Sequence, residues 1–278
     1  MTDFVRRAAV LGLIAALAAC AAPAERPVPP TPSRSPAAAS PPPAAAPPAA
    51  PPAVTPVVRR GDGRGGRTVA LTFDADMTAA QGPRAARGER FDHPELVATL
   101  RRLAVPATVF MTGRWAEEYP AQARSLGRDP QFEVANHSYS HFAFSADCYG
   151  LPTVAPERMR ADVERAFAVF RAVGVRNAVP YFRFPGGCYD ARALRAIAPA
   201  RVTAVQWDVV SGDAFATDAR AVARQVLDGV RPGSVVVLHC TRSAAPVTEE
   251  AVREVVPELR RRGYRFVKVS ELFGARAS

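Results

Sequence analysis

Residues 68–76 read TVALTFDAD, an apolar run that closes on two carboxylates, Asp74 and Asp76. β-Branched and aromatic residues in a short run bounded by charge predict a buried strand over the first six positions. A second apolar run, SVVVLH at 234–239, has the same pattern and ends on His239. Chemically active side chains therefore follow at least two predicted core strands, where many α/β proteins bind their ligands.

From residue 67 onward, strand-like runs alternate with amphipathic helical patterns. The predicted strands are 68–73, 107–112, 132–136, 181–184, 202–207, 234–239 and 265–269. The predicted helices include 94–103, 156–173, 218–229 and 248–261, with Pro156 in a first turn and Thr217 and Thr248 as N-caps. This alternation predicts an α/β fold with a parallel sheet, either a closed barrel or an open doubly wound sheet. In both, ligands bind at the carboxyl ends of the strands.

Three of the four histidines lie at or near these strand ends. His137 and His141 are four residues apart after the third predicted strand, and His239 ends the sixth. Two histidines and one carboxylate, with a position left open for water, form a catalytic zinc set. The His-x-x-x-His spacing taken alone would also suit two polar residues in a loop. Because Asp74, Asp76 and His239 also lie at predicted strand ends, the pattern favours a metal site.

The same strand ends carry groups suited to acid–base chemistry. Beside a divalent metal, a carboxylate takes a proton from water and a histidine protonates the leaving group. Asp74 and His239 suit these two roles. Arg183 lies between Phe182 and Phe184, so we expect it to be buried and to need an acidic partner. Its charge would keep Asp74 ionised by lowering the pKa of that carboxyl.

Five motifs occur in order along this part of the chain. They are TFDAD at 72–76, HSYSH at 137–141, RFPGG at 183–187, WDVVSGD at 207–213 and LH at 238–239. Together they resemble the motifs of polysaccharide deacetylases of carbohydrate esterase family 4, also called the nodulation-protein-B homology domain. The resemblance covers roughly residues 67–272. It implies a distorted (β/α)7 barrel and metal-dependent removal of acetyl groups from N-acetylated sugars.

Carried over by position, the resemblance implies two groups of site residues. The catalytic group comprises Asp74 as base, Arg183 orienting that base, His239 as general acid, Asp213 tuning that acid, and the amide of Gly186 as donor to the tetrahedral oxyanion. The metal group comprises His137, His141 and an aspartate, for which we expect Asp76.

The sequence departs from the family's motifs at three positions. The family has two adjacent aspartates, the second of which binds metal, whereas position 75 is alanine; Asp76 would reach the ion if the chain turns there. Gly186 stands where a tyrosine usually follows the third-motif proline, and the aromatic after Asp213 is displaced to Phe215. Two aromatics that commonly shape the sugar groove are therefore missing, and we expect a substrate preference unlike that of typical members.

The amino-terminal part resembles the signal of a bacterial lipoprotein. Arg6 and Arg7 precede a short apolar stretch at 8–17, which is too short for a comfortable transmembrane span. The sequence LAAC follows and ends at Cys20. We expect a signal peptide at 1–19 and a lipidated cysteine that anchors the protein in a membrane; an ordinary signal peptide with a chance cysteine is the alternative.

Composition supports an anchored domain on a spacer. Residues 20–57 are rich in proline and alanine and predict a disordered linker, followed by a folded domain at 58–278. The net charge is +10, and Lys268 is the only lysine, so arginine supplies nearly all of the positive charge. A basic surface suits anionic envelope polymers. Nucleic-acid binding is not expected, because no basic run with interleaved aromatic residues occurs.

The cysteines and the remaining histidine are less informative. Beyond the amino-terminal cysteine there are Cys148, Cys188 and Cys240. They permit one intramolecular disulfide, which export would allow, and the sequence leaves its pairing open. His93 lies at a predicted helix start, and we interpret it as structural.

The favoured interpretation is an exported, lipid-anchored deacetylase that faces the periplasm or the cell exterior and acts on an N-acetylglucosamine polymer, above all peptidoglycan. Zinc suits the ligand types, with cobalt, nickel and manganese as alternatives. An exopolysaccharide, chitin-like oligomers or O-acetyl esters are alternative substrates. A catalytically impaired glycan-binding protein is the hypothesis from another class, and Ala75 motivates it. Retention of the acid–base residues favours the enzyme.

Overall fold

The computed structural model describes residues 53–274. The predicted signal peptide, Cys20 and nearly all of the predicted linker lie outside the described residues. The first strand, β1 (Val57–Val58), straddles the predicted boundary between linker and domain, and Val57 pairs with Ala204. These residues are therefore part of the sheet.

In this part of the chain, nine strands form one sheet. After β1 they are β2 (Thr68–Ala75), β3 (Ala107–Met111), β4 (Phe132–Asn136), β5 (Ala178–Phe182), β6 (Thr203–Val205), β7 (Val209–Val210), β8 (Ser234–His239) and β9 (Arg265–Phe266). The order across the sheet is β1-β6-β5-β4-β3-β2-β8-β7, with β9 beside the start of β2. All of these pairs are parallel, so the carboxyl ends of the strands lie at one end of the sheet.

The sheet curls towards closure. An antiparallel bridge between Arg60 and Ser234 joins the segment after β1 to the start of β8. Alternate strand residues, among them Ala70, Phe110 and Val235, form a small inner cluster, whereas the larger cluster joins strands to helices. The architecture is an α/β half-barrel of curled parallel strands. This confirms the predicted distorted barrel and excludes the open doubly wound sheet.

Helices fill the connections between strands. They are α1 (Gly82–Ala86), α2 (Pro94–Arg102), α3 (Gly113–Glu118), α4 (Pro120–Leu126), α5 (Met159–Val173), α6 (Ala191–Ile197), α7 (Ala219–Gly229), α8 (Thr248–Arg261) and α9 (Val269–Leu272). The four predicted helices are confirmed, within a few residues, as α2, α5, α7 and α8. Pro156 opens a 3-10 turn that leads into α5, close to its predicted role.

Both predicted N-caps are wrong. Asp218, not Thr217, caps α7, and its Oδ1 accepts hydrogen bonds from two amides of the first turn. A carboxylate acceptor next to a free helix end is favoured over a hydroxyl one residue further away. Thr248 is the first residue of α8 instead of its cap, and its hydroxyl donates to Asp213.

Several strand predictions differ from the structure, and the predicted strand 202–207 is shortened to Thr203–Val205. The predicted strand 181–184 is shifted to Ala178–Phe182, so Arg183 follows β5 instead of lying within it. The predicted strand 265–269 is shorter, because Val269 already begins α9. The strands β1 and β7 were not predicted, since two residues carry no recognisable periodicity.

The cysteine pairing that the sequence left open is Cys148 with Cys188, and Cys240 is a buried free thiol. His93 is buried and caps α2, where its Nδ1 accepts from the amide of Leu96, a structural role as interpreted. Across the described residues, the helices fall short of the length and apolar character that crossing a bilayer would require.

Candidate metal centre and active site

The predicted site residues lie together at the carboxyl ends of five strands. Asp74 and Asp76 come from the end of β2, His137 and His141 from the loop after β4, Arg183 from the end of β5, Asp213 from the loop after β7, and His239 from the end of β8. In the sheet register, Asp74 lies opposite His239. The parallel order of the sheet therefore assembles residues that lie far apart in sequence.

Asp76, His137 and His141 form a candidate metal site. Their ligand atoms all lie within 4.8 Å of one another. Oδ1 of Asp76 is 3.5 Å from Nε2 of His137 and 3.8 Å from Nε2 of His141. This oxygen is buried and has no hydrogen-bond partner among the described residues. An unpartnered buried carboxylate oxygen costs free energy, and a cation between the three groups would supply its partner. The donor set therefore fits a divalent metal.

Both histidines are in the form that binds metal. Nδ1 of His137 lies 2.9 Å from the carbonyl oxygen of Arg183. A carbonyl oxygen only accepts, so Nδ1 carries the proton and Nε2 keeps its lone pair. Burial lowers the pKa of His137 although two aspartates nearby oppose this shift. Burial also lowers the pKa of His141, to about 4. Both rings are therefore neutral at pH 7.

Asp76 is the first residue after β2, and its side chain continues the alternation of that strand. β2 runs on regularly through Ala75. The side chain of Ala75 is buried in the same apolar cluster as Leu71 and Phe73. Because successive side chains of a strand point to opposite faces, Asp74 and Asp76 both point to the inner face.

Two threonines that the sequence interpretation missed fix the backbone at this strand end. Oγ1 of Thr241 accepts from the amide of Asp76 at 3.0 Å, and Oγ1 of Thr112 accepts from the amide of Met77 at 3.2 Å. Both threonines are buried. Their only sequence signal is a position just beyond β3 or β8, which many threonines share.

The loop that carries the two histidines is a tight turn. Ser138 and His141 have positive φ angles of 70° and 58°, which disfavour residues with a Cβ. The side chain of Asn136 accepts from the amide of Ser138, and the Ser138 hydroxyl accepts from the amide of His141. Oδ1 of Asp162, in α5, accepts from the amides of the two residues after Ser138, at 2.8 and 3.2 Å. Asn136 and Asp162 were also missed, because only the folded loop reveals their role.

Arg183 is completely buried and holds Asp74, which confirms the expected acidic partner. Its Nη1 donates to Oδ1 of Asp74 at 2.6 Å. Its Nη2 donates to the hydroxyl of Thr72, and its Nε donates to the carbonyl of Val205. These three partners fix the guanidinium plane and thereby the orientation of the Asp74 carboxylate.

Asp74 and Asp76 have opposite pKa shifts. Burial would raise the pKa of Asp74, but the charge of Arg183, with contributions from His137 and His239, holds it below its ordinary value. Burial raises the pKa of Asp76, which has no such guanidinium beside it. Oδ2 of Asp74, the oxygen that Arg183 does not hold, lies 3.7 Å from Nε2 of His137. An ionised carboxylate is thus placed beside the candidate metal ligands.

Asp213 holds His239 in place. Oδ1 of Asp213 is 2.8 Å from Nδ1 of His239, and Oδ2 accepts from the His239 amide at 2.7 Å. Hydroxyls of Ser211 and Thr248 also donate to this carboxylate. Burial would lower the pKa of His239, but the charge and hydrogen bond of Asp213, with smaller effects of Asp76 and Asp74, raise it to about 10. The ring is therefore protonated at neutral pH.

Gly186 lies where the chain has room for no side chain. Its φ is +64°, and a Cβ there would come within 2.6 Å of the sulfur of Cys148. A Cβ on the neighbouring Gly187 would come within 2.5 Å of the Trp207 ring. The glycine pair thus lets the disulfide loop and a tryptophan approach the end of β5. The role of the Gly186 amide as an oxyanion donor stays a prediction.

Residues 61–205 match the model of the polysaccharide deacetylase family, and the chain belongs to that family. A chitooligosaccharide deacetylase from Sinorhizobium fredii is 31% identical over 216 residues, which cover 73% of this chain and 90% of that protein. A peptidoglycan-N-acetylglucosamine deacetylase from Bacillus cereus is 26% identical over 206 residues, which cover 74% of this chain and 68% of that protein. The solved structure of the Bc1960 peptidoglycan N-acetylglucosamine deacetylase shares the fold, with a TM-score of 0.64 at 22% identity over 78% of this chain and 92% of that one.

Proposed function

We propose that this protein is a metal-dependent deacetylase that hydrolyses the N-acetyl groups of N-acetylglucosamine units in peptidoglycan. One observation carries the proposal: an ionised carboxylate, Asp74, and a protonated histidine, His239, adjoin one three-residue metal site. Binding a glycan would not require a buried arginine to hold one group and a buried aspartate to hold the other. Hydrolysis of an amide requires both a base and an acid.

A divalent ion held by Asp76, His137 and His141 would supply Lewis acidity towards the acetyl carbonyl. Zinc suits this donor set of two imidazoles and one carboxylate. Asp74 accepts a proton from the water whose oxygen forms the new bond to the acetyl carbon. Arg183 keeps Asp74 ionised and oriented for that step. The amide of Gly186 donates to the carbonyl oxygen as it becomes negative.

His239 then completes the reaction. As the bond between the acetyl carbon and the sugar nitrogen breaks, His239 gives its proton to that nitrogen, which leaves as the amine. The products are acetate and a glucosamine unit. Asp213 keeps His239 protonated before this transfer and fixes its ring during it.

The choice of peptidoglycan rests on the predicted location. The amino-terminal sequence predicts an exported lipoprotein, anchored through Cys20 and facing the periplasm or the cell exterior. A domain on a proline-rich spacer would meet the cell-wall polymer around it. The relative from Bacillus cereus is named for activity on peptidoglycan N-acetylglucosamine, and the relative from Sinorhizobium fredii for activity on chitooligosaccharides. Both names refer to acetylated glycans.

The direct test is acetate release by the full chain, purified in mild detergent. The substrates are peptidoglycan, N-acetylglucosamine oligomers and an O-acetylated polysaccharide, each tried after chelation with and without added zinc. We expect zinc-restored release from peptidoglycan that exceeds release from the other two. Asp74→Asn is the matched control, since it removes the base but leaves the three candidate ligands in place. Release from none of the substrates, with folded protein and metal supplied, would favour a glycan-binding protein.

The anchor has its own test. We expect the wild-type chain in the membrane fraction of a bacterial host and the Cys20→Ser variant in the soluble exported fraction. An unchanged membrane association of the variant would contradict a lipid anchor and would leave the proposed activity untouched.

A further inference from the structure

Two aromatic side chains project from the loops at the carboxyl ends of the strands. Tyr149 is 87% exposed and Phe215 is 83% exposed, and the next most exposed large hydrophobic residue in the described part of the chain, Val210, is 52% exposed. A single exposed apolar side chain is ordinary and needs no explanation. Tyr149 and Phe215 differ from such residues in where they lie and in how their backbone is held.

The two aromatics flank the candidate active site. Tyr149 lies in the loop after β4, and Phe215 lies in the loop after β7. In the sheet, β3, β2 and β8 separate β4 from β7, and β2 and β8 carry Asp74 and His239. The two catalytic residues therefore lie on strands between those that precede the two loops.

Tyr149 stands on an immobilised backbone. Its φ is +50°, and its neighbour Cys148 is tied by the disulfide to Cys188. The amide of Leu151 donates a hydrogen bond to the carbonyl of Cys148 at 2.9 Å and closes the turn that contains Tyr149. Cδ2 of the tyrosine ring lies 3.3 Å from the place that a Cβ on Gly186 would take. The ring thus stands beside the end of β5, above a residue that has no side chain of its own.

Phe215 is held in a comparable way. Its φ is +60°, its amide donates to the carbonyl of Ala244 at 2.6 Å, and the amide of Ala216 donates to the carbonyl of Asp213 at 3.1 Å. A positive φ costs a residue with a Cβ roughly 1–2 kcal/mol. Such strain tends to be retained where a residue contacts a ligand. A ring turned to solvent on a strained backbone gains nothing from the core that would offset this cost.

The chemistry of the two rings defines the ligand class. Neither ring carries a charge, and each offers a flat apolar face that suits the C–H face of a pyranose ring. Because the backbone that carries each ring is held in advance, little backbone entropy is lost on binding. We infer that Tyr149 and Phe215 are stacking platforms for sugar rings of the glycan on either side of the unit that is deacetylated. This inference rests on the proposed function for the identity of the ligand.

Binding to an inactive protein tests the platforms without turnover. In the Asp74→Asn full chain, calorimetry measures the affinity for N-acetylglucosamine and for its oligomers of increasing length. We expect affinity to grow with length, and Tyr149→Ala or Phe215→Ala to weaken the longest oligomer about tenfold with little effect on the monosaccharide. Tyr149→Phe keeps the ring and should bind like the parent. Val54→Ala, which removes an exposed apolar side chain before β1, is the matched control.

The outcomes separate this inference from the proposed function. Equal oligomer affinities in the parent and both alanine variants, or an affinity that does not grow with chain length, would overturn the platforms. If, with that result, the wild-type chain still releases acetate from the same oligomers, only the stacking role is contradicted and the proposed activity is supported. If oligomer binding depends on Tyr149 and Phe215 but no acetate is released, the stacking role of the two rings is supported and the proposed deacetylase activity is contradicted.

Discussion

Asp213 contacts His239 at two points, with Oδ1 2.8 Å from the ring nitrogen Nδ1 and Oδ2 2.7 Å from the backbone amide. The first contact holds the proton on Nδ1 and stabilises the charged ring, and the second prevents the carboxylate from turning away. Hydroxyls of Ser211 and Thr248 occupy further acceptor positions of the same carboxylate. A histidine that is only partly buried is thereby kept protonated with its other ring nitrogen free.

The Asp213→Asn variant should move the alkaline limit of activity to lower pH. The wild-type pKa of His239 is raised from 6.5 to about 10, so the acid form persists through neutral pH. Loss of the Asp213 charge lowers that pKa, and the acid form is then lost at lower pH. We expect the alkaline limb of the kcat/KM profile to fall by about one unit or more, so that the loss of activity relative to wild type grows as the pH rises through the shifted limb. Thr248→Val, which removes a hydrogen bond but no charge, should shift the limb less. An unmoved limb in Asp213→Asn would contradict this role.

The Asp76→Ala variant should lose metal. Asp76 provides the only carboxylate of the candidate ligand set and an oxygen with no other partner in the described chain. Calorimetry with zinc should show a dissociation constant raised by roughly a hundredfold or more, beyond the usual effect of residues that only support a ligand. Asp74→Asn should bind zinc nearly as tightly as wild type, because it leaves the three ligands intact. Equal zinc affinity of Asp76→Ala and wild type would remove Asp76 from the site.

Moving the aspartate to position 75 should not rescue that variant. Ala75 is fully buried in the apolar cluster between strands and helices, on the face opposite Asp74. In the double variant Ala75→Asp with Asp76→Ala, a carboxylate enters this cluster without a partner. We expect the free energy of unfolding in urea to fall by about 3–5 kcal/mol, with no gain of zinc affinity over Asp76→Ala. Regained zinc binding at wild-type stability would show that the strand bends to present position 75.

The Asp162→Ala variant should weaken zinc binding although Asp162 is not a ligand. Its Oδ1 accepts from the amides of Tyr139 and Ser140, within the turn that holds both histidines. Without it, the turn has a less defined shape, and we expect the zinc dissociation constant to rise about tenfold. Glu164→Ala, on the same helix and paired with Arg160, is the control. A loss of thermal stability with unchanged zinc affinity would assign Asp162 a purely structural role.

Removing the disulfide should destabilise the fold without weakening the metal site. The double variant Cys148→Ser with Cys188→Ser opens a link between residues 40 apart in sequence. We expect the free energy of unfolding to fall by about 2–4 kcal/mol. Zinc affinity should not change, because the turn around His141 is held by Ser138 and Asp162. A parallel loss of zinc affinity would instead tie the disulfide loop to the metal site.

The sequence was most informative where structure depends on neighbouring residues. The run TVALTFDAD predicts a strand with carboxylates at its end, and SVVVLH predicts a strand ending in histidine; β2 and β8 confirm both. Helices α5 and α8 followed from apolar periodicity. The caps and the shortest strands did not, because Asp218 competes with Thr217 as a cap and two residues of β7 show no pattern.

By itself, then, the sequence determined the parallel α/β character of the domain and the chemical groups at its strand ends, since both follow from periodicity and residue type along short segments. Only the tertiary structure decided that regular alternation through Ala75 turns Asp76 towards His137, and that Cys148 pairs with Cys188. It also decided that Asp162 and Thr248 support the site. These are distances between segments remote in sequence, and they exist only once the curled sheet has brought the loops together.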